Sequence, residues 1–126
     1  VIVITNQAGI ARGFYTEDEF KFFTNEINEN LKEYGAHIDS TYFCPHHPEA
    51  GIGNLRIDCN CRKPKPGLIK KAILEWDLDI KKCFFIGDKK SDIQAANSCG
   101  ISSYLFNEKK DNLLEIFKNK SPDLIS

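Results

Sequence analysis

The chain has 126 residues, of which 41% are hydrophobic and 28% are charged, and its net charge of −1 argues against a global attraction to nucleic acid or to membranes. This length fits one domain, and no apolar run approaches the roughly 18 residues of a membrane span. The five cysteines are odd in number and clustered, which favours reduced thiols or metal ligation over disulfides. We therefore expect a cytoplasmic, single-domain protein that binds neither nucleic acid nor membranes.

The first part of the chain predicts two strands and one helix. The β-branched run at residues 1–5 suits a buried parallel strand, and the glycines within residues 6–14 indicate a loop. A capping box formed by Thr16 and Glu19 is expected to open a helix. The apolar stripe of this helix consists of Phe20, Phe23, Ile27, Leu31 and Tyr34. Residues 37–44 predict the second strand.

The rest of the chain predicts two further strands and three helices. A helix is expected to follow Pro66, with an apolar face made of Leu68, Ile69, Ala72, Ile73 and Trp76. After it we predict a strand at 82–88, a helix at 91–100, a strand at 101–106, a helix at 107–119 and a frayed tail to Ser126. Strands that alternate with helices predict an α/β fold with a parallel sheet, in which ligands bind at the carboxyl ends of the strands.

A loop between the second strand and the next helix carries two close pairs of possible metal ligands. Cys44-x-His46 is followed, after twelve residues, by Cys59-x-Cys61, and zinc takes four such ligands in structural sites. His47 is the alternative to His46, and free cysteines with surface histidines are the simpler interpretation. A metal that holds both ends would explain how so long a loop is ordered. We assign no site to the remaining cysteines and histidine, Cys83, Cys99 and His37.

Polar residues that suit a phosphate ester and Mg²⁺ follow the predicted strands and the last cysteine of the loop: Thr5, Asn6, Gln7, Arg62, Lys63, Asp88 and Asp92. Hydroxyl and amide groups can donate to phosphate oxygens, cations can neutralise them, and a carboxylate can hold a hard metal ion. Each residue also has an ordinary explanation, as a cap, a solvated basic patch or a Gly-Asp turn. Their shared placement at strand ends favours the phosphate hypothesis.

Four segments together resemble the haloacid dehalogenase-like (HAD) phosphatases: TNQAGIARGFYTEDEF, CPHHPE, CNCRKPKPG and FIGDKKSDIQAA. Within that family they resemble the branch of histidinol phosphatases and heptose-bisphosphate phosphatases. The resemblance implies a three-layer Rossmannoid α/β fold with a parallel sheet and a zinc-stabilised loop insertion at residues 43–63. It also implies Mg²⁺-dependent hydrolysis of a heptose bisphosphate, a small phosphosugar of bacterial lipopolysaccharide synthesis, by a monomeric enzyme. Histidinol phosphate is the alternative substrate.

The resemblance also implies a role for each motif residue, position by position. Thr5 is implied to bind the oxygen of the transferring phosphoryl group, and Lys63 to neutralise its charge. The implied substrate-binding residues are Thr5, Asn6, Gln7, Ala8, Arg62 and Lys63. The implied structural zinc ligands are Cys44, His46, Cys59 and Cys61. Asp88 is implied to hold Mg²⁺, with Lys89 beside it and Asp92 orienting the site.

One part of the family pattern does not match this chain. HAD phosphatases attack with an aspartate of an Asp-x-Asp motif on a central strand, which we expect about 40 residues before Thr5. The chain contains no methionine and opens directly on a strand. We therefore expect residues 1–126 to be an N-terminally incomplete domain that lacks its first strand and is inactive alone. Asp77-x-Asp79 precedes a predicted strand, and we assign it no catalytic role. The alternative of another class is a non-catalytic, zinc-stabilised remnant that binds phosphosugars.

Overall fold

The computed structural model describes residues 1–120, which form a set of parallel strands and covering helices. The strands are β1 (Ile2–Asn6), β2 (Ser40–Cys44), β3 (Phe84–Gly87) and β4 (Ser102–Leu105). The helices are α1 (Ala8–Ala11), α2 (Glu17–Lys32), α3 (Gly67–Trp76), α4 (Lys90–Ser98) and α5 (Leu113–Lys120), with short 3₁₀ turns at Gly53–Leu55 and Ile80–Lys82. The predicted frayed tail lies outside the described residues. Over residues 1–120, none of the helices has both the length and the apolar character that crossing a membrane requires.

The strands pair in parallel, as the alternating sequence pattern predicted. β1 pairs with β2 in a register that sets Asn6 opposite Cys44, and β3 pairs with β4. Within residues 1–120 the backbone hydrogen bonds join the strands in two separate parallel pairs. The carboxyl end of β1 therefore lies next to the start of the cysteine/histidine loop.

Helix α3 connects the two strand pairs through neighbouring side chains. Leu68 and Ala72 pack in a cluster with Tyr42 and Cys44 of β2, whereas Ile69 packs in a second cluster with the alanines of α4. Ile4 of β1 contacts both clusters. Burial of apolar surface on two sides of one helix holds the pairs at a fixed distance from each other.

Several predicted boundaries were wrong by a few residues. β2 begins at Ser40 rather than at residue 37, and Asp39 instead donates its backbone N–H to the carbonyl oxygen of Val1 over 2.8 Å. α5 begins at Leu113 rather than at residue 107, because the carboxylate of Asp111 accepts the backbone N–H of Asn107 and closes a turn there. Short polar side chains compete for backbone groups in this way and delay a helix. The predicted loop at residues 6–14 contains the short helix α1.

The predicted stripe of α2 is only partly buried. The capping box of Thr16 and Glu19 is confirmed, and Phe20 packs on Phe43 with ring centroids 4.9 Å apart. Phe23, however, is 61% exposed, and Tyr34, which lies beyond the end of α2, is 83% exposed, so these two members of the predicted stripe are not buried. A repeat of apolar residues identifies the face of a helix that prefers burial, but not how far along the helix a neighbour covers that face.

Candidate functional site

The two ligand pairs of the long loop meet at its base. The Sγ atoms of Cys44, Cys59 and Cys61 lie 2.8–3.4 Å from one another, and Nδ1 of His46 lies 3.3 Å from Cys61 and 3.7 Å from Cys44. All four ligand atoms fall within 4.8 Å of one another. A tetrahedral zinc ion with Zn–S bonds near 2.3 Å needs sulfur atoms about 3.8 Å apart. This cysteine/histidine cluster therefore has the ligand types, the number and nearly the spacing of a closed structural zinc site.

The neighbouring histidine is used differently. Nδ1 of His47 accepts the backbone N–H groups of Glu49 and Ala50, at 3.1 and 2.8 Å, and so closes a turn. His47 lies outside the cluster, because its ring nitrogen already satisfies two backbone donors. Of the two histidines that the sequence left open, His46 is the one beside the cysteines.

The three thiols differ in their tendency to ionise. Burial raises the pKa of Cys44. Burial also raises the pKa of Cys61, together with its hydrogen bonds to the other two thiols. For Cys59, burial opposes ionisation, but hydrogen bonds from Cys61 and Cys44 outweigh it and lower its pKa to about 6. The hydrogen bonds within the cluster therefore favour the thiolate form of Cys59, and thiolates are the form that binds metals.

The loop is tied to the rest of the fold at points beyond the cluster. The backbone N–H of Ile52 donates to the carbonyl oxygen of Ala11 over 2.8 Å, which fixes the middle of the loop on α1. The N–H of Gly67 donates to the carbonyl oxygen of Asn60 over 3.0 Å, which fixes its end on the start of α3. The cluster therefore sits at the base of an anchored loop rather than in a free one.

Lys63 connects the loop to both strand pairs. Its ammonium group donates to the carbonyl oxygen of Ile4 over 2.8 Å and forms an ion pair with Asp92 at 2.6 Å. The side chains of Lys63 and Asp92 are only 9% and 7% exposed. A charge-assisted contact between buried groups is strongly position-dependent, so this pair fixes the cation at the carboxyl ends of β1 and β3.

The backbone of Lys63 is also held. The Asn6 carboxamide accepts the N–H of Lys63 over 3.0 Å and donates to its carbonyl oxygen over 3.3 Å. The amide thereby pairs with the loop backbone as a neighbouring strand would. Asn6 was predicted to lie in a substrate-binding segment, and the structure shows that its polar atoms are engaged with the lysine.

The Thr5 hydroxyl lies at the end of a short hydrogen-bonded chain. Gln7 donates from Nε2 to Thr5 Oγ1 over 2.9 Å, and the hydroxyl of Tyr15 donates to Gln7 Oε1. The Thr5 hydroxyl reaches the carbonyl oxygen of Asn6 only at 3.5 Å. The Thr5 hydroxyl proton therefore makes only a weak hydrogen bond within residues 1–120.

Asp92 organises the carboxyl end of β3. Its Oδ2 atom accepts the backbone N–H groups of Asp88 and Lys89, each at 3.1 Å, while Oδ1 faces Lys63. A Cβ atom on Gly87 would lie 2.3 Å from Cβ of Asp92, so only glycine permits this close approach. Burial raises the pKa of Asp92, but the hydrogen bond and charge of Lys63 outweigh it and the pKa is lowered. Asp92 is a carboxylate that fixes other residues rather than one left open for a ligand.

The remaining predicted residues lie around this centre. Asp88 and Lys89 are exposed, and Asp88 lines an open depression of about 390 Å³ with residues 105–108. Arg62 is half-buried, and its Nη1 atom is inaccessible and has no hydrogen-bond partner within residues 1–120. Ala8 opens α1 and contributes backbone groups only.

The structure brings Thr5, Lys63, Asp88 and Asp92 to one end of the strands, and we refer to these four residues as the strand-end group. Tyr15 reaches this group through Gln7 and was not among the predicted site residues. No spacing rule identifies such a residue, because it lies in a turn between helices α1 and α2. The sequence feature that accompanies this position is Gly9, where a Cβ atom would lie 2.3 Å from the Tyr15 ring.

The chain is similar in sequence to known phosphatases. A family model described as HAD-hydrolase-like matches residues 60–125. A D-glycero-alpha-D-manno-heptose-1,7-bisphosphate 7-phosphatase of Photorhabdus laumondii is 46% identical over 101 residues, which is 80% of this chain and 55% of that protein. A D-glycero-beta-D-manno-heptose-1,7-bisphosphate 7-phosphatase of Yersinia pestis is 39% identical over 103 residues, 82% of this chain and 55% of that protein.

Two crystal structures resemble this one. A HAD-like phosphatase from Mesorhizobium loti superposes with a TM-score of 0.78 at 37% identity, over 83% of this chain and 51% of that one. A D,D-heptose 1,7-bisphosphate phosphatase from B. bronchiseptica, complexed with magnesium and phosphate, has a TM-score of 0.73 at 31% identity, over 83% and 55%. The chain thus spans about half the length of the relatives that it matches.

Proposed function

The chain belongs to the HAD-hydrolase-like family, and on that premise we propose that the protein it represents is a phosphatase of D-glycero-D-manno-heptose 1,7-bisphosphate. The reaction would be Mg²⁺-dependent hydrolysis of the 7-phosphate in the cytoplasm, leaving the 1-phosphate on the sugar. The named relatives support the substrate, and the strand-end group supports the chemistry.

The observation that carries the proposal is the position of the Lys63 ammonium group. It is nearly buried, yet it is held at the carboxyl ends of β1 and β3, where ligands bind in α/β folds. A fixed cation in a poorly hydrated place stabilises negative charge far better than a mobile surface lysine, because little reorganisation is needed. We assign a bound phosphoryl group as the source of the negative charge that Lys63 stabilises.

Each residue of the strand-end group then has a distinct task. The Thr5 hydroxyl donates to a phosphoryl oxygen, and Lys63 offsets the charge that grows on the phosphoryl oxygens. Asp92 holds Lys63 and the backbone of Asp88 in place. We assign the attacking carboxylate to an aspartate outside these 126 residues, which would form an aspartyl phosphate that water then hydrolyses.

The exposed Asp88 carboxylate is the group that we assign to Mg²⁺. Hard divalent cations take oxygen ligands, and the side-chain oxygens of Asp88 have no hydrogen-bond partner within residues 1–120. When bound, Mg²⁺ supplies neutralisation of phosphate charge and fixes the orientation of the ester. Lys89 lies beside this carboxylate and is exposed.

We further assign a structural zinc ion to Cys44, His46, Cys59 and Cys61. The four ligand atoms lie close enough for tetrahedral coordination, and a site with four protein ligands has no open position for a substrate. Its task would be to hold the base of the loop, so that the residues after Cys61 are fixed. Arg62, whose buried Nη1 has no hydrogen-bond partner in the part of the chain that the structure describes, is the residue that we assign to substrate selection.

The test is a comparison of substrates with the protein produced from its complete gene. Phosphate release is measured from both anomers of the heptose bisphosphate, from the heptose 1-phosphate and from histidinol phosphate. We expect Mg²⁺-dependent turnover of a bisphosphate with the highest kcat/KM and no release from the 1-phosphate. A higher kcat/KM for histidinol phosphate would overturn the assignment of the heptose bisphosphate as the substrate. Tight binding of the bisphosphate without turnover would support the non-catalytic remnant instead.

A second measurement addresses selection by Arg62. A guanidinium group forms paired hydrogen bonds that an ammonium group cannot copy. Replacing Arg62 with lysine should therefore lower kcat/KM for the heptose bisphosphate by about one to two decades, but lower it less for an aryl phosphate. Equal losses on both substrates would assign Arg62 to the phosphoryl group rather than to selection.

A further inference from the structure

The Thr5 hydroxyl can donate its proton to one of two acceptors, a phosphoryl oxygen or the side chain of Gln7. A threonine hydroxyl donates one proton and can accept two. For Thr5 to donate to a phosphoryl oxygen, the protein must fill its acceptor side and leave the proton free. Gln7 Nε2 fills that acceptor side at 2.9 Å.

The orientation of the Gln7 amide decides which use prevails. With Nε2 toward Thr5, the amide donates to the hydroxyl, whereas the reverse orientation would place Oε1 there and take the Thr5 proton. The two ends of a carboxamide have the same shape, so packing alone does not choose between them. Something at the other end of the amide must do so.

Tyr15 occupies that other end. Its hydroxyl donates to Gln7 Oε1, and a phenol is a better donor than acceptor, which favours the observed orientation. The Tyr15 ring lies directly over Gly9, where a Cβ atom would be 2.3 Å from ring carbon Cε1. The ring is therefore held in place by the helix α1 backbone, and its hydroxyl points at the amide.

We propose that Tyr15 and Gln7 are positioning residues that direct the Thr5 proton toward the phosphoryl oxygen, an inference that rests on the proposed phosphatase function. Within residues 1–120 the Thr5 proton has no strong competing acceptor, since the Asn6 carbonyl oxygen is 3.5 Å away. A phosphoryl oxygen can displace that contact at little cost. In this scheme Tyr15 does not touch the substrate, and Gln7 acts through Thr5 rather than through the direct substrate contact that the family resemblance implied.

The test uses the full-length protein with Tyr15→Phe, which removes only the hydroxyl. We expect kcat to fall about 2- to 10-fold, the loss of one hydrogen bond, with a smaller change in KM. The matched control is Tyr34→Phe, because Tyr34 is 83% exposed and lies beyond the C-terminal end of α2, and it should leave both constants unchanged.

A double-mutant cycle separates positioning from a general structural effect. If Tyr15 acts through Thr5, then Tyr15→Phe should have no further effect on kcat in a Thr5→Ala background. An equal loss in both backgrounds would overturn the proposal, as would wild-type kcat for Tyr15→Phe alone. The latter result would mean that the amide orientation does not depend on the phenol.

A readout independent of turnover keeps the inference distinct from the proposed function. The side-chain amide resonances of Gln7, observed by NMR in the ¹⁵N-labelled full-length protein, should shift in Tyr15→Phe and in Thr5→Ala but not in Tyr34→Phe. Unshifted resonances in Tyr15→Phe would overturn the chain of contacts even if the enzyme is active. An inactive wild type with the expected shifts would overturn the proposed phosphatase alone.

Discussion

The cysteine/histidine cluster and the strand-end group are neighbours in the fold but are assembled over very different stretches of chain. The cluster takes all four of its ligand atoms from residues 44–61 and brings them within 4.8 Å. The strand-end group takes its members from Thr5 to Asp92 and depends on two strand pairs that share no backbone hydrogen bonds within residues 1–120. A local site closes with local contacts, whereas a distributed site depends on how whole elements pack.

Lys63 is where the two regions meet. It follows the last cysteine by two residues, and its side chain forms the buried ion pair of the strand-end group. We therefore expect that removing a ligand of the cluster also disturbs the strand-end group, while substitutions in the strand-end group leave the cluster intact.

The largest expected difference between the regions concerns residues 1–126 produced alone. We expect no measurable phosphatase turnover, because loss of a nucleophile lowers kcat roughly 10⁴- to 10⁶-fold in other enzymes. We expect the same polypeptide to bind about one Zn²⁺, which elemental analysis would measure. Measurable Mg²⁺-dependent hydrolysis by this polypeptide would show that its own residues supply the nucleophile.

The next largest effect should come from Lys63→Met in the full-length protein. Removing the ammonium group takes away charge stabilisation at the phosphoryl oxygens, and we expect kcat/KM to fall about 10²- to 10³-fold. Zinc content should not change. Lys65→Met is the matched control, since Lys65 is 44% exposed and forms its ion pair with Asp58, away from the strand-end group. A loss of less than fivefold in Lys63→Met would separate this lysine from the chemistry.

A smaller and more local effect is expected from Cys61→Ser. Loss of one ligand should remove the zinc, and the free energy of local opening over residues 43–63 should fall close to zero, because metal binding also provides folding energy. Hydrogen exchange measured by mass spectrometry would detect this. Cys99→Ser, outside the cluster, should retain the metal and the protection. Unchanged exchange in Cys61→Ser would show that the anchors at Ile52 and Gly67 suffice.

The smallest effect is a dependence of stability on pH. Because the pKa of Asp92 is lowered in the folded state, its ion pair contributes stability above the unfolded-state pKa near 4 and loses it as pH falls through the lower folded value. Asp92→Asn should lack this component. The loss should be below the about 3–5 kcal/mol that breaking a buried pair outright costs. Denaturant unfolding would measure the free energy of unfolding of both proteins at pH 7 and at pH 3. If this free energy changes with pH by the same amount in the wild type and in Asp92→Asn, the role assigned to Asp92 is contradicted.

Much of the fold was predictable because its signals are local. The β-branched run of β1, the capping box of α2 and the Gly-Asp end of β3 each fix a short segment through propensity or hydrogen bonds between near neighbours. The paired Cys-x-His and Cys-x-Cys spacing likewise indicated which residues would cluster. The exposure of Phe23 was not predictable, because coverage of a helix face depends on distant segments, and Tyr34 is exposed beyond the end of α2.

The amino-acid sequence by itself determined which residues have the chemistry for zinc and for phosphate, and the order of strands and helices that carries them. Only the tertiary structure decided that His46 rather than His47 joins the cysteines, that Asn6 holds the Lys63 backbone, and that Tyr15 reaches Thr5 through Gln7. Each of these depends on which polar atoms come into contact, often between residues far apart in the chain. Such contacts are set by the packing of the elements, which the residue types and their spacing do not specify.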